Sequence, residues 1–471
     1  MPPSLTVHFE PILKTKSPKL TEEEIQQRVA SIEQSIRSNA YNFASVTKRT
    51  FTQKTSGIKK RRYIYSFQPG SDEYYICEYL KERLNKAFNI SYPNRDRIIR
   101  KFFDILPSLK DINDFTIVKF DFKDFFESIT SKAIFDKHIK DSSLLWRNEK
   151  DILEILCSQI KRCHAGIQTS NALVELSSQH FDQKLKSTLF KYGLIYYERY
   201  VDDVLIVLSH HISETEVKKH INLSIEEAFP KCNVKCNSQK YLYVSRRLIA
   251  NTIAANTPYS CEFSFLGYYF VLNCAVKVNQ KQPKIEILVG ISKSKREKFE
   301  ARAKRLFQKY EKDALNPTVC PRKNLELLRQ RIKAMSCRVV YKISRTRFNA
   351  SSRSSKWISK GIVSAYSELR NRDNLEPKTE RFLKNVYNDL LRSISTQVRI
   401  PYFFSTGRNG VSAYNLFSCL ERNRTMLLVD KIGSNINSIV TEIQKIDPTY
   451  CGDNKTYSEI VLDYLEKLKM P

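Results

Sequence analysis

Two periodicities take turns along this chain. "TEEEIQQRVASIEQSIRS" places apolar residues at helical spacing behind a Thr21–Glu24 capping pair, which predicts a helix. "IKKRRYIYSFQ" switches to strand character, with four cations from Lys59 to Arg62 ahead of Tyr63, Ile64, Tyr65 and Phe67. "NRDRIIRKFFDIL" returns to helix, with Ile98, Phe102 and Ile105 on one side and Arg97, Arg100 and Lys101 on a solvated face. The strongest strand signals lie in the middle. "FTIVKFDFKDFF" mixes β-branched and aromatic residues up to Asp121. "LIYYERYVDDVLIVL" reads as strand, tight turn, strand, with Asp202 and Asp203 at the turn. Between them "HAGIQTSNALVELSSQHFDQKL" leaves a loop at Gly166 for a helix with Leu173, Leu176 and Leu185 among its apolar positions.

Beyond "CEFSFLGYYFVL", an aromatic strand with a turn at Gly267, the pattern becomes mainly helical. "ISKSKREKFEARAKRLFQKYEKD" carries Phe299, Leu306 and Tyr310 on one stripe, surrounded by Lys295, Lys298, Arg302, Lys304, Arg305 and Lys309. From "PRKNLELLRQRIKAMS" onward helix is expected, apart from a polar loop at "RFNASSRSSK". This order of elements predicts an α+β architecture with helices packed on a small antiparallel sheet.

Charge changes the picture. The 471 residues hold 79 Lys and Arg against 50 Asp and Glu, a formal +29. A compact chain with that surplus repels itself, and a polyanionic partner, nucleic acid foremost, is the usual reason to keep it. A hydrophobic content of 41% excludes a disordered chain. The 11 cysteines follow no pattern, and the closest pair, Cys232 and Cys236, lacks the further ligands of a zinc site. Reduced thiols and a cytoplasmic protein are expected. The N-terminus shows no signal-peptide pattern, and no run of about 18 apolar residues occurs, so no membrane span is expected.

Asp suits tight turns, and a turn alone accounts for Asp202 and Asp203. A second reading adds Asp121. Three carboxylates at the ends of strands in one sheet would repel one another without a cation between them, and hard divalent cations take oxygen ligands. Two such ions about 3.5–4 Å apart activate an attacking hydroxyl and stabilise a leaving oxygen in phosphoryl transfer. The pattern of residues leaves both readings open.

At these residues the chain resembles the reverse transcriptases. "VKFDFKDFFESI" is similar to their first palm motif and "YVDD" to their hairpin motif with paired aspartates. "CNSQKYLYV" is similar to a Lys-bearing motif and "FSFLGYYF" to the primer grip, in the family's order, over roughly residues 55–345. The resemblance implies a right-hand polymerase with a helical C-terminal region. Its parts would be an N-terminal helical extension (1–45), fingers (46–115), palm with finger insertions (116–285), thumb (286–350) and the C-terminal region (351–471).

The resemblance also implies roles. Asp121, Asp202 and Asp203 would be catalytic and, with the Phe122 carbonyl, would hold two Mg²⁺ ions, with Mn²⁺ as a substitute. Phe126 stands where the family places an aromatic gate against the ribose 2′-OH, its plain alternative being a core ring. Phe125 is expected to pack, pointing to the other face of a strand. Thr169 and Ser170 take positions that are often Gln-Gly, so the usual Gln contact is missing although small residues still let the backbone approach a nucleotide. Lys240 matches a lysine that neutralises the leaving pyrophosphate, and is otherwise a surface lysine. Arg62 resembles a finger arginine that holds the triphosphate. The helix from Lys295 to Lys309 would be the thumb, following a duplex backbone without reading sequence.

The implied partners are RNA and DNA as template, primer and product, together with deoxynucleoside triphosphates. Endonuclease, ribonuclease H, retron and intron-maturase signatures are absent. "RIKAMSCRVVYKISRTRF" with "SKWISKGIVSAYSEL" is similar to the post-thumb segment of bacterial defence reverse transcriptases, the abortive-infection group and its type 3 systems among them. That subtype would imply antiphage defence, a noncoding RNA, and a homo-oligomer or a second polymerase subunit. Two alternatives remain: a template-independent or protein-primed DNA polymerase, and a non-catalytic RNA-binding scaffold on the same fold.

Overall fold

The computed structural model describes residues 6–16, 20–55, 58–276 and 284–318, and further on mainly 338–341, 356–360, 365–369, 372–383 and 436–452. These divide into two compact units, 1–261 with 273–285, and 262–272 with 286–471.

The first unit opens with helices α1 (Thr6–Lys16) and α2 (Glu22–Arg37). The Thr21 hydroxyl accepts from the Glu24 N–H and the Glu24 carboxylate accepts from the Thr21 N–H, so the predicted capping box is formed. An antiparallel ribbon follows, β1 (Thr47–Thr55) with β2 (Ile58–Ser66), then α3 (Asp72–Ala87) and α4 (Arg95–Ile105). The buried stripe of α4 is Ile98, Ile99, Phe102 and Phe103; Ile105 is only half buried, so the apolar face is turned from the predicted one.

The element that carries the candidate chemistry is a four-stranded antiparallel sheet. Its central strands are β3 (Thr116–Asp121) and β5 (Asp203–Leu208), with β4 (Leu194–Tyr200) beside β5 and β6 (Leu242–Ser245) beside β3. Between β3 and β4 lie two short helical turns, α5 (Phe125–Ser128) and α6 (Ser131–Ile134), a π-helical turn over Phe135–Ile139, and helices α7 (Arg147–Gln159) and α8 (Gln168–Leu189). Helix α9 (Glu214–Ala228) joins β5 to β6, and α10 (Arg246–Ala254) follows.

One face of β3, Val118 and Phe120 with Val204 and Ile206 of β5, belongs to a core that includes Phe181 of α8 and Ile221 of α9. Each such buried side chain contributes roughly 1.5–3 kcal/mol. On the opposite face, Phe102 of α4 lies 5.3 Å from the Tyr196 ring, whose hydroxyl donates to the Ile98 carbonyl. Along that second face β3 changes character, from Ile117 through Lys119 to Asp121.

The strand ends at Asp121, where its β-branched and aromatic pattern is expected to end, so Phe125 does not lie on a strand. Phe122 makes a single bridge to Cys236, Asp124 takes a left-handed φ of 44°, and a helical turn begins at Phe125. Phe125 is buried, but for a different reason than strand alternation: from that helical turn its ring stacks on Phe122 at 4.7 Å.

Strands β7 (Tyr259–Phe265), β8 (Tyr268–Cys274) and β9 (Ile285–Ile291) form a three-stranded sheet. The β7–β8 turn holds Leu266 and Gly267 at φ 50° and 87°, the two left-handed positions of a tight hairpin. In the second unit α11 (Lys293–Ala314) follows β9, and its buried Arg296 donates to the Ile291 carbonyl, Glu376 and Thr379 at 2.8–2.9 Å. The helical expectation further on is corrected by β10 (Arg338–Tyr341) and β11 (Lys356–Lys360), an antiparallel pair. "RVVY" and "KWISK" are β-branched and aromatic, and pairing overrides the helical reading. The polar loop expected between them lies outside the described residues, as does most of 351–471. Among the described residues no helix is long and apolar enough to cross a membrane.

Candidate active site

Register assembles the acids. β3 and β5 pair with Asp121 opposite Asp203, and Lys119, two residues back on β3, shares their face. The main chain fixes the surroundings: the Phe122 N–H donates to the Asp202 carbonyl at 3.0 Å and the Asn237 N–H to the Asp121 carbonyl at 2.7 Å. The segment before β6 therefore runs beside the end of β3. A 3₁₀ turn there, Ser238–Lys240, directs Lys240 back toward the acids.

Two lysines compensate two of the carboxylates. Lys240 Nζ lies 2.5 Å from Asp121 Oδ2, and Lys119 Nζ lies 2.6 Å from Asp203 Oδ1. Their settings differ, since the Lys240 side chain is 60% exposed and that of Lys119 only 9%. Asp121 Oδ1 is buried and has no hydrogen-bond partner, and Asp203 Oδ1, though ion-paired with Lys119 at 2.6 Å, receives no well-directed hydrogen bond either. Such an oxygen costs about 1–3 kcal/mol unless something takes it up.

Burial raises the Asp202 carboxyl from its ordinary value and the charge of Asp121 adds to the rise, while a hydrogen bond from its own backbone, Lys240 and Arg62 oppose it. Asp203 is raised too, by burial first, with Lys119 opposing and Asp202 and Asp121 adding. Under-compensated, hard oxygen donors of this kind suit a divalent cation. Asp121 Oδ1 is the donor left without a partner, and the hydrogen bond from the Phe122 N–H to the Asp202 carbonyl sets those two residues side by side. As the side chains stand, no three or more His, Cys, Asp or Glu groups among the described residues are gathered closely enough to hold an ion. Lysine ammonium groups compensate instead.

The turn that carries Asp202 is strained. Val201 has φ 60° at the first central position of a two-residue hairpin, where glycine is usual, and a β-branched residue there costs on the order of 1–3 kcal/mol. Arg199 holds it in place. The guanidinium donates to the Val201 carbonyl at 3.1 Å, to both Glu175 oxygens at 2.6 and 3.2 Å, and to Asp182 at 2.9–3.1 Å. Glu175 and Asp182 lie on α8, so the acidic hairpin is tied to that helix.

The remaining predicted residues fall in different places. Phe126 is half buried against the core, 6.2 Å from the Phe125 ring. Its neighbour Glu127 pairs with His164 at 3.0 Å, and His164 stacks on Tyr65 of β2 at 3.9 Å. Gly166, at φ 105°, passes so near that a Cβ would lie 2.4 Å from the Tyr65 carbonyl, so only glycine lets the loop seat against β2. Arg62 is exposed on β2, and its charge reaches Asp202. Thr169 and Ser170 are buried in the first turn of α8, where the Thr169 hydroxyl donates to the Cys77 carbonyl of α3 at 3.0 Å. Among the described bonds, neither touches the three carboxylates. The basic helix α11 belongs to the second unit, with Lys298, Lys304 and Arg305 exposed and Lys309 paired to Asp313.

Sequence reasoning missed Lys119 and Arg199. The available signal was local: a lysine inside the apolar run "IVKF", and an arginine three residues before Asp202 in "ERYVDD".

No protein-family model and no curated protein matches the chain. Among solved structures it is similar to telomerase from Candida albicans in complex with a TWJ fragment of telomeric RNA, at 12% identity over 92% of this chain and 68% of that one, with TM-score 0.32. Telomerase from Candida tropicalis, also with a TWJ fragment of telomeric RNA, gives 15% identity over 93% and 68%, with TM-score 0.33. A likeness of that extent carries no functional weight.

Proposed function

We propose that the chain is a nucleotidyltransferase of the reverse-transcriptase kind, a right-hand polymerase that adds deoxynucleotides to a nucleic-acid 3′ end. The observation that supports this most is one sheet face on which Asp121 and Asp203 oppose each other beside Asp202, with a buried Asp121 oxygen left unpartnered. Divalent cations, Mg²⁺ or Mn²⁺, held by Asp121, Asp202 and the Phe122 carbonyl would supply Lewis acidity toward the reacting oxygens. The chain's own groups serve the substrate. Lys240, largely exposed, neutralises the departing pyrophosphate, and Arg62 holds the triphosphate. Phe126 crowds the ribose 2′ position. The positive surplus keeps template and product bound through their phosphates. Copying of RNA and a role in antiphage defence rest on the motif resemblance alone.

Primer extension tests this reading. Wild-type protein should extend a primer with deoxynucleotides, and the Asp202→Asn/Asp203→Asn double variant should not; undiminished synthesis by the variant would remove the site assignment. Phe126→Ala should admit ribonucleotides, and unchanged sugar selectivity would return Phe126 to the core. One observation favours a second reading, a non-catalytic nucleic-acid scaffold: Lys119 and Lys240 already compensate two of the three acids. Sequencing the nucleic acid that copurifies with both proteins separates the two. RNA in both with DNA only in the wild type supports templated synthesis; RNA with no DNA in either favours the scaffold.

A further inference from the structure

We propose that Lys119 is a positioning residue: a resident cation that holds Asp203 on the sheet and keeps the acidic face from binding a divalent ion tightly before nucleotide arrives. The inference rests on the polymerase reading and deepens it by dividing the two lysines into different jobs.

Strand geometry separates them. Lys119 stands on the central strand β3, flanked by Leu205 on β5 and Leu242 on β6, and only 9% of its side chain is exposed. A buried ammonium needs a partner, and Asp203 Oδ1 at 2.6 Å supplies it. Lys119 is held there by burial, since turning away from Asp203 would leave a nearly buried ammonium without its counter-charge. Lys240 sits on a surface turn with most of its side chain in water, so it can swing away from Asp121. Asp121, with its unpartnered oxygen, would be the donor released to a divalent ion once Lys240 turned away. The buried Lys119 would keep Asp203 as its partner.

Consequences follow for metal affinity. A fixed positive charge on the same face opposes every divalent ion that approaches the acids. The free protein should therefore take such an ion weakly, with the triphosphate's own oxygens completing the coordination. Removing the charge of Lys119 should tighten ion binding. A lysine with a purely structural role predicts the reverse, since its loss would disorder the site and weaken binding.

Full-length wild type, Lys119→Met and Lys119→Met/Asp203→Asn would be compared with Mn²⁺ alone as the probe. Binding would be read by electron paramagnetic resonance and thermal midpoints taken in EDTA and in Mn²⁺. Lys119→Met should bind Mn²⁺ more tightly by on the order of tenfold, because Asp203 is left without its cation. It should also melt below wild type in EDTA and gain more from Mn²⁺ than wild type does. The double variant, which removes both charges of the pair, should recover most of the EDTA midpoint and return to wild-type or weaker Mn²⁺ affinity. Equal or weaker Mn²⁺ binding by a folded Lys119→Met protein, with wild type binding measurably, would overturn the proposal while leaving the polymerase reading intact. Absence of Mn²⁺ binding by wild type together with absence of primer extension would remove both.

Discussion

The β4–β5–β3–β6 sheet and the β1–β2 ribbon are both antiparallel, both in the first unit and both rich in charge, yet they handle it in opposite ways. In the sheet Asp121, Lys119 and Arg199 are all buried, and each meets an opposite charge at hydrogen-bonding distance. In the ribbon Lys48, Arg49, Arg61 and Arg62 stand in solvent, and Lys48 rests over the Tyr63 ring at 3.9 Å. Burial forces charges into fixed pairs, because an unpaired ion there costs several kcal/mol. Exposure leaves cations available to any polyanion, weakly held and screened by salt. Chemistry that needs ångström placement belongs in the first setting, and sequence-blind attraction in the second.

The largest effect should come from the sheet's acids. Asp121→Asn should cut nucleotide addition at least about a thousandfold, ~4 kcal/mol of transition-state stabilisation, while leaving the protein folded. Circular dichroism and primer extension on the same preparation check this. Next comes the pairing rule itself. Arg199→Ala leaves Glu175 and Asp182 without their cation and frees the strained Val201 turn, so it should cost about 3–5 kcal/mol in denaturant unfolding. An Arg199 variant no less stable than an Arg61 variant would break the comparison, because burial would then not be what separates the two regions.

Half-buried bases fall between these extremes. The His138 ring stacks on His180 of α8 at 4.3 Å, and its Nε2 is buried without a partner. Burial first, then the charges of His180 and Lys137, push His138 down to about 4. The folded state therefore binds fewer protons than the unfolded one between about 6.5 and 4. The contribution to stability is complete above that window and is lost as pH falls through it. After allowance for solvent, the loss should be about 1–2 kcal/mol. Unfolding of wild type and His138→Phe from pH 7 to 4 should show a shallower decline for the variant.

How much of this was legible follows the same divide. β3 and the β4–β5 hairpin could be read because runs of β-branched, aromatic and aliphatic residues meet aspartates, which strands otherwise avoid, at the end of β3 and at the β4–β5 turn. β1 could not, since "TKRTFTQKT" is held by pairing with β2 and its residues 47–52 are all exposed, so no inward face writes an alternation into that stretch. The ends of motifs were read less well than their middles. "DFF" continued the apolar pattern, but the left-handed Asp124 turned it into a helix, and only the three-dimensional stack on Phe122 accounts for Phe125. The role of Lys119 needs the register that sets Asp121 against Asp203, a pairing between distant segments that no local window contains. Thr169 and Ser170 are legible only by their place in a motif; that both are buried, and that Thr169 bonds to α3, are tertiary facts.

The ribbon supplies the smallest effect and the sharpest contrast. Lys48 and Arg61 lie on the same face as Tyr63 and Tyr65, as the register sets Lys48 against Tyr65 and Thr52 against Arg61. A Lys48→Ala/Arg61→Ala variant should lose only a few-fold in affinity for a single-stranded oligonucleotide, uniformly across sequences. The slope of log K against log salt should fall by about one for each cation that contacts a phosphate. Folding stability should move by no more than about 0.5 kcal/mol for each exposed charge, plus up to about 1 kcal/mol for the lost Lys48–Tyr63 contact. Fluorescence anisotropy across a salt series, with thermal melts of the same samples, measures both. A stability loss as large as that of Arg199→Ala, or binding with an unchanged salt slope, would mean that the ribbon's cations are pairing internally as the sheet's do, and the division of labour between the two regions would fall.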